Sequence, residues 1–231
     1  MRLSWRNAAV ILLLCLIVAA CQNGQQDNSP LQNLPRPDPA EIEQVINRFL
    51  QMDDPVAYRL WAEIDGKTVA SMKGTATGER WQLEGEHVRQ SFVRLSGRGD
   101  KVEWQTDKEK NDAHTAPEMF SPREHMQQLK NGFRNLSWAP DSSKLSPSGW
   151  KAVAMSLTDD QVEESVHTML GDQMATPEIV RNVAQRMEVR YTLWYNEHSL
   201  DLHQIQVDVL KSGETRELKR RLIYLFGESS E

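Results

Sequence analysis

The strongest apolar pattern lies in the first twenty residues of the chain. Ala8 to Ala20 is apolar throughout, Arg2 and Arg6 precede it, and the first acidic residue is Asp27. A run of about 13 apolar residues is shorter than the ~20 needed to cross a bilayer, and it is typical of the h-region of a secretory signal. We therefore predict that residues 1–20 are a cleaved signal peptide.

The apolar run ends in Val18-Ala19-Ala20-Cys21, which resembles the lipobox of bacterial lipoproteins. In those proteins the cysteine is diacylated on sulfur and becomes the mature N-terminus. The resemblance implies lipidation of Cys21, and two acyl chains anchor a protein firmly to a membrane. The alternative is an ordinary signal peptide whose cleavage site borders a cysteine.

Residues 21–38 form a polar segment rich in Gln, Asn, Pro and Ser. Such a segment cannot bury an apolar face, so we predict a flexible tether with an r.m.s. reach of ~20–25 Å. Gln22 is compatible with sorting to the outer membrane of a bacterium that has two membranes. The predicted location is therefore the extracytoplasmic face of either the cell membrane or the outer membrane.

From Asp38 onward the pattern changes between helical and strand periods. Asp38-Pro39 combines a capping carboxylate with proline at the first helical position, and apolar residues follow at helical spacing to Leu50. Alternating residues then predict a meander of about five antiparallel strands, with a two-residue turn at Asp65-Gly66. A second capped helix is expected to begin at Ser121.

The rest of the chain predicts a loop, a strand, two short helices and a closing meander. The loop is expected at residues 135–149, the strand at 150–157, the helices near 159–170 and 177–187, and the closing strands at 188–195, 202–210 and 217–226. The pattern lacks regular strand–helix–strand alternation, so it predicts one α+β domain over residues 39–231 with a long antiparallel sheet.

This order of elements, with the closing patterns Tyr191-Thr192-Leu193-Trp194-Tyr195 and His203-Gln204-Ile205-Gln206-Val207, resembles the LolA/LolB-like and LppX/LprG-like lipoprotein carriers. The resemblance implies a half-open antiparallel barrel, formed by a strongly curved sheet and covered by helices. Several of those proteins carry lipid or acyl chains inside the barrel. No diagnostic motif of the superfamily transfers a site residue to this chain.

Charge and cysteine usage exclude several classes of function. The chain has 27 Lys+Arg and 33 Asp+Glu, a net charge of −6, which argues against a nucleic-acid surface. Loss of residues 1–20 removes two arginines and no acid, so the mature chain is more acidic still. Cys15 leaves with the signal and Cys21 carries the lipid, so no free thiol remains for catalysis, disulfides or zinc.

The sequence contains no recognised enzyme motif. Gly-x-Ser-x-Gly, the Walker loop, Gly-x-Gly-x-x-Gly and His-Glu-x-x-His are all missing. Glu163 and His167 lie four residues apart on a predicted helix, but such pairs arise often by chance. We therefore expect no cofactor, no resident metal and no catalysis; an envelope hydrolase that uses Glu163 or His167 is the weakest hypothesis.

Aromatic residues and methionines in the predicted strands and helices suit a cavity that accepts varied apolar shapes. The predicted lining residues are Trp61, Trp81, Trp104, Met126, Phe133, Met155, Tyr191 and Leu193. A lipid or acyl chain is the ligand that such a cavity favours. The alternative is a filled core in an envelope module that recognises another protein, and the sequence does not separate the two.

Overall fold

The computed structural model describes residues 35–77, 80–87, 90–98, 101–106, 110–113, 121–139, 149–170, 175–212 and 217–227. The part of the chain from Pro35 onward forms one compact unit. The predicted signal peptide, Cys21 and the tether as far as residue 34 lie outside the described residues.

Four helices are described, and three of them begin with the same local chemistry. They are α1 (Pro39–Leu50), α2 (Pro122–Lys130), α3 (Asp159–Leu170) and α4 (Pro177–Ala184). At Asp38, Ser121 and Thr176 a side-chain oxygen accepts a hydrogen bond from a backbone N–H of the first turn, and proline follows. This capping satisfies a backbone donor that the helix itself leaves unpaired, and it confirms the starts predicted at Asp38 and Ser121.

Eleven described strands form one antiparallel sheet. They are β1 (Val56–Ile64), β2 (Lys67–Thr77), β3 (Arg80–His87), β4 (Gln90–Arg98), β5 (Lys101–Thr106), β6 (Lys110–Ala113), β7 (Arg134–Trp138), β8 (Trp150–Ser156), β9 (Met187–Asn196), β10 (Leu202–Lys211) and β11 (Glu217–Phe226). The order across the sheet is β6-β5-β4-β3-β2-β1-β11-β10-β9-β8-β7. The last strand therefore pairs with the first at the centre, where Leu60 lies opposite Tyr224.

The edge strands of the sheet are β6 and β7, which do not pair with each other within the described ranges. The sheet is therefore not closed, and the predicted α+β class and half-open barrel are confirmed. Two strands differ from the expectation. The first meander has one more strand, β6, which pairs with β5. Strand β7 occupies part of the predicted loop, because pairing with β8 supplies backbone hydrogen bonds that its short sequence does not predict.

The two faces of the sheet differ in burial. We call the face that carries Tyr58, Leu60 and Ala62 the inner face, since these side chains are buried while their neighbours in β1 are half-buried or exposed. Apolar side chains of the helices and of the inner face form one hydrophobic core. At one end of that core, the rings of Phe49 in α1 and Phe226 in β11 lie 5.2 Å apart between centroids.

Glycines allow close packing on the inner face of β2, β3 and β4. Gly97 lies opposite Trp81, and a Cβ at Gly97 would overlap the Trp81 indole. A Cβ at Gly85 would overlap the carbonyl oxygen of Ser71 in the neighbouring strand. These two strand positions therefore require glycine, because a side chain at either would overlap the neighbouring strand.

Candidate functional site

Most of the predicted lining residues meet in the core between the sheet and the helices. The buried members of the set are Trp81, Met126, Met155, Tyr191 and Leu193. Phe133, just after α2, is half-buried and packs against the same core. Tyr191, Leu193 and Tyr195 all face inward from β9, as the alternation in the sequence predicts.

Trp61 does not join this set. Trp61 alternates with Leu60 and Ala62 along β1, so it lies on the outer face, opposite Ile223. The two-residue period of a strand makes this placement unavoidable once Leu60 is buried. Trp104 lies opposite Leu95 in the register of β4 and β5, and its side chain is outside the described part.

A polar network crosses this otherwise apolar interior. His125 of α2 is 7% exposed and lies between two tyrosines of the inner face. Its Nδ1 is 2.8 Å from Oη of Tyr191, and its Nε2 is 3.0 Å from Oη of Tyr224. Both ring nitrogens of the histidine are therefore hydrogen-bonded, which satisfies a polar group that would be costly to bury alone.

The hydrogen bonds define the tautomer of His125. The Tyr191 hydroxyl donates to Oε1 of Gln128, 2.9 Å away, so it accepts from His125 Nδ1–H. In the neutral imidazole Nε2 is then the acceptor, to which the Tyr224 hydroxyl donates. Burial raises the pKa of the hydroxyls of Tyr191 and Tyr224, so both side chains stay neutral. The network thus joins α2 to two neutral tyrosines of the inner face.

Gln128 and Gln161 extend this connection to α3. Nε2 of Gln161 donates to the backbone oxygens of Gln128 (2.7 Å) and Gly132 (3.0 Å). Oε1 of Gln161 accepts from the backbone N–H of Thr158 at the start of α3. Helices α2 and α3 are therefore joined through side-chain amides.

Helix α1 is held at both ends by ion pairs. In its first turn, the Glu41 carboxylate accepts hydrogen bonds from Lys151 Nζ and from the Tyr195 hydroxyl, each at 3.0 Å. In its last turn, Nε of Arg48 lies 2.8 Å from Oδ1 of Asp201. The pKa of Asp201 is lowered by the hydrogen bond with Ser199 and by Arg48. These contacts join α1 to β8, to β9 and to the turn before β10.

An apolar pocket of about 400 Å³ lies beside the C-terminal end of α1. Its lining residues from α1, β1, β10, β11 and the adjoining turns include Phe49, Met52, Val56, Leu200, Leu202 and Phe226. The Arg48–Asp201 ion pair borders it, and Met52 is 39% exposed. Its volume lies within the ~300–1,000 Å³ typical of small-molecule sites. The pocket is therefore large enough for a segment of an acyl chain.

The predicted Glu163–His167 pair lies on α3, where Glu163 is half-buried and His167 is exposed. Glu163 lines a different pocket, about 520 Å³, together with Arg134, Asp159 and Arg181. Within the part of the chain that the structure describes, no three His, Cys, Asp or Glu residues are grouped so as to hold a metal ion. In that same part, no helix has the length and hydropathy needed to cross a membrane.

Sequence reasoning did not identify His125, Tyr224 or the pocket at Phe226. A signal for His125 exists, because it lies one residue before Met126 and four before Leu129, on the buried side of α2. Histidine at such a position predicts a buried polar partner. The pocket has no local signal, since its lining comes from segments far apart along the chain.

Comparison with known proteins places this geometry in a recognisable fold. Lipoprotein LppX of Mycobacterium tuberculosis matches with a TM-score of 0.51 and 13% identity, over 83% of this chain and 96% of LppX. LprF of Mycobacterium bovis matches at 0.46 and 8% identity, over 84% and 94%. A LolA superfamily protein of Nitrosomonas europaea matches at 0.36 and 6% identity, over 82% and 91%.

No protein-family model and no curated protein sequence matches the chain. The structural match spans nearly all of LppX, although few residues are identical. The predicted resemblance in fold is confirmed: the chain has the half-open, helix-covered sheet of LppX.

Proposed function

We propose that this chain is a membrane-anchored, extracytoplasmic lipoprotein that binds a hydrophobic ligand, a lipid or acyl chain, in its half-barrel. In this proposal the protein is a carrier or shield and not an enzyme. The observation that carries it is the apolar pocket of about 400 Å³ beside the C-terminal end of α1 in an LppX-like fold.

The energetics of such binding follow from the burial of apolar surface. Transfer of ~300 Å² of acyl surface from water contributes about 7–8 kcal/mol at ~25 cal/mol per Å². Association entropy and the ordering of side chains offset part of this gain. In the pocket, Met52 supplies a flexible apolar side chain that adapts to the shape of a ligand, and Phe49 supplies a broad aromatic ring. Movement of the end of α1, which the partly exposed Arg48–Asp201 pair holds, would admit the chain.

The anchor is a separate part of the proposal. Residues 1–20 would be removed as a signal peptide, Cys21 would carry the lipid, and residues 22–38 would be the tether. With this arrangement the domain works close to the outer surface of the cell membrane or at the outer membrane. Neither nucleic acid nor a cofactor has a role in it.

A filled-core interaction module remains the second candidate, and one observation favours it. The inner face of β8–β11 is closely packed, since Met155, Tyr191, Leu193, Tyr195 and Tyr224 are all at most 1% exposed. If the whole interior were as closely packed as this, it would leave no room for a ligand, and the protein would act through its surface by recognising another envelope protein. The two candidates make opposite predictions about bound lipid.

The lipid anchor is tested by replacing Cys21 with alanine. We expect Cys21→Ala to abolish incorporation of labelled palmitate and to stop maturation, because the sulfur is the acylated atom. The measurement is metabolic labelling followed by immunoprecipitation. Cys15→Ala is the matched control and should keep the label, since Cys15 lies within the apolar run. Labelling that survives in Cys21→Ala contradicts the anchor.

The ligand is tested by native mass spectrometry of residues 21–231 with Cys21→Ser, purified from a bacterial host. We expect a protein-bound mass that matches a fatty acid or phospholipid. Val56→Trp should lower its occupancy at least several-fold, because the indole fills the pocket that Val56 lines. Ala57→Trp is the control, since Ala57 is exposed and, as the residue after Val56 in β1, lies on the opposite face of the sheet.

Two results would overturn the ligand proposal. One is unmodified protein without lipid that also fails to bind a fluorescent fatty acid, which would favour the filled-core module. The other is equal lipid occupancy in Val56→Trp and Ala57→Trp. Thermal unfolding of both variants establishes that they are folded; should Val56→Trp not fold, Val56→Phe replaces it.

A further inference from the structure

The outer face of the central strands carries an apolar patch. Its residues are Trp61, Ile223, Leu225 and Trp194, which we call the outer patch. All four side chains are half-buried and so keep exposed surface. Trp61 lies opposite Ile223, while Leu225 and Trp194 both lie opposite Gln204. The outer face of an antiparallel sheet is usually polar when it faces water, so two tryptophans there indicate a contact surface.

Basic residues continue the same cross-strand row. The register places Leu225 opposite Arg59, Arg59 opposite Lys73, and Lys73 opposite Glu84. Arg94 follows and is ion-paired with Glu84 at 3.1 Å. These four charged residues line a groove of about 360 Å³ and carry three positive charges against one negative. The local charge is thus opposite in sign to that of the chain, which is −6.

We propose that this outer face docks on the headgroup surface of an anionic phospholipid bilayer. Indole rings favour the membrane interface, because their apolar body and polar N–H suit its two sides. The groove with Arg59 and Lys73 adjoins the outer patch and supplies cations for lipid phosphates. The combination of tryptophan and basic residues on one face matches this surface in both polarity and charge.

The position of the tether is compatible with this orientation. The backbone oxygen of Pro35 accepts a hydrogen bond of 2.6 Å from Trp138 Nε1, which places the end of the tether at the edge strand β7. Strands are spaced at ~4.8 Å, so β7 lies roughly 24 Å across the sheet from β1. With residues 22–34 as the flexible tether proposed above, the r.m.s. reach from Cys21 to Pro35 would be ~20 Å. This step rests on the proposed anchor at Cys21, whereas binding of the outer face to vesicles does not.

The test is co-sedimentation of residues 21–231, with Cys21→Ser, with phospholipid vesicles. We expect binding to mixed phosphatidylcholine–phosphatidylglycerol vesicles that weakens with added salt, and little binding to phosphatidylcholine alone. Arg59→Gln/Lys73→Gln should weaken binding about tenfold or more, since each cation near an anionic surface contributes about fivefold. Arg181→Gln/Lys211→Gln, which removes two exposed cations elsewhere, should leave it unchanged.

The aromatic part of the surface is tested with Trp61→Ala/Trp194→Ala, which should also weaken binding, with Trp138→Phe as the control. Because these half-buried residues also pack against neighbours, quenching of tryptophan fluorescence by brominated lipid in the unsubstituted protein gives a second measurement. Absence of binding to anionic vesicles overturns the proposal. So does a dimer in light scattering that Trp61→Ala/Trp194→Ala converts to monomer, because the face would then join two copies. Neither result bears on lipid held inside the half-barrel.

Discussion

Replacing His125 with alanine should lower the free energy of unfolding by about 2–4 kcal/mol. The substitution removes the ring that hydrogen-bonds Tyr191 and Tyr224, and it leaves a gap between α2 and the sheet. Both tyrosines are buried, so water does not readily replace the hydrogen bond that each hydroxyl loses. Urea denaturation followed by tryptophan fluorescence measures the change.

A compensated variant separates the hydrogen bonds from the packing. His125→Leu/Tyr191→Phe/Tyr224→Phe replaces the three polar groups with apolar ones of similar size. Replacing both partners of a buried hydrogen bond costs far less than removing one, so this variant should recover at least half of the loss. A structural role for the network is contradicted by His125→Ala with unchanged stability. It is also contradicted if the triple variant is no more stable than His125→Ala.

Local sequence signals accounted for most of the fold. Helix starts were predictable at Asp38 and Ser121 because capping and proline act within one turn. Strand faces followed from alternation, as Tyr191, Leu193 and Tyr195 illustrate. Strand β7 was missed because its stability comes from pairing with β8 and not from its own pattern. Local patterns also could not predict which strands are neighbours in the sheet, since β11 pairs with β1 although the two lie far apart along the chain.

The candidate site was less predictable, for two physical reasons. Residue type alone grouped Trp61 with the cavity, although its position in the alternation of β1 places it on the outer face. Treating tryptophan as an interior residue ignores that it also suits exposed contact surfaces. The pocket itself depends on how Phe49, Leu202 and Phe226 meet in space, and only tertiary packing defines that.

The tyrosines provide the second large expected effect. The chain has four, and burial raises the pKa of every one: Tyr58, Tyr191, Tyr195 and Tyr224. For Tyr195 the hydrogen bond with Glu41 and the negative charge of that carboxylate add to the effect of burial. A spectrophotometric titration of the folded protein should therefore show almost no phenolate absorbance at pH 10, where an ordinary tyrosine is half ionised.

The same shifts predict how stability changes in alkaline solution. Below the ordinary tyrosine pKa of 10, the folded and unfolded chains both keep the phenolic protons, so the tyrosines add no pH dependence. Above it the unfolded chain releases protons that the folded chain retains, and the free energy of unfolding falls. Four tyrosines together should lower it by about 4 kcal/mol between pH 10 and about pH 11. Urea denaturation across this range gives the slope. Tyr195→Phe is the control, since it should reduce the slope by about a quarter.

Phenolate absorbance that rises near pH 10 while the protein stays folded would show that the hydroxyls are accessible to water and that the interior is open.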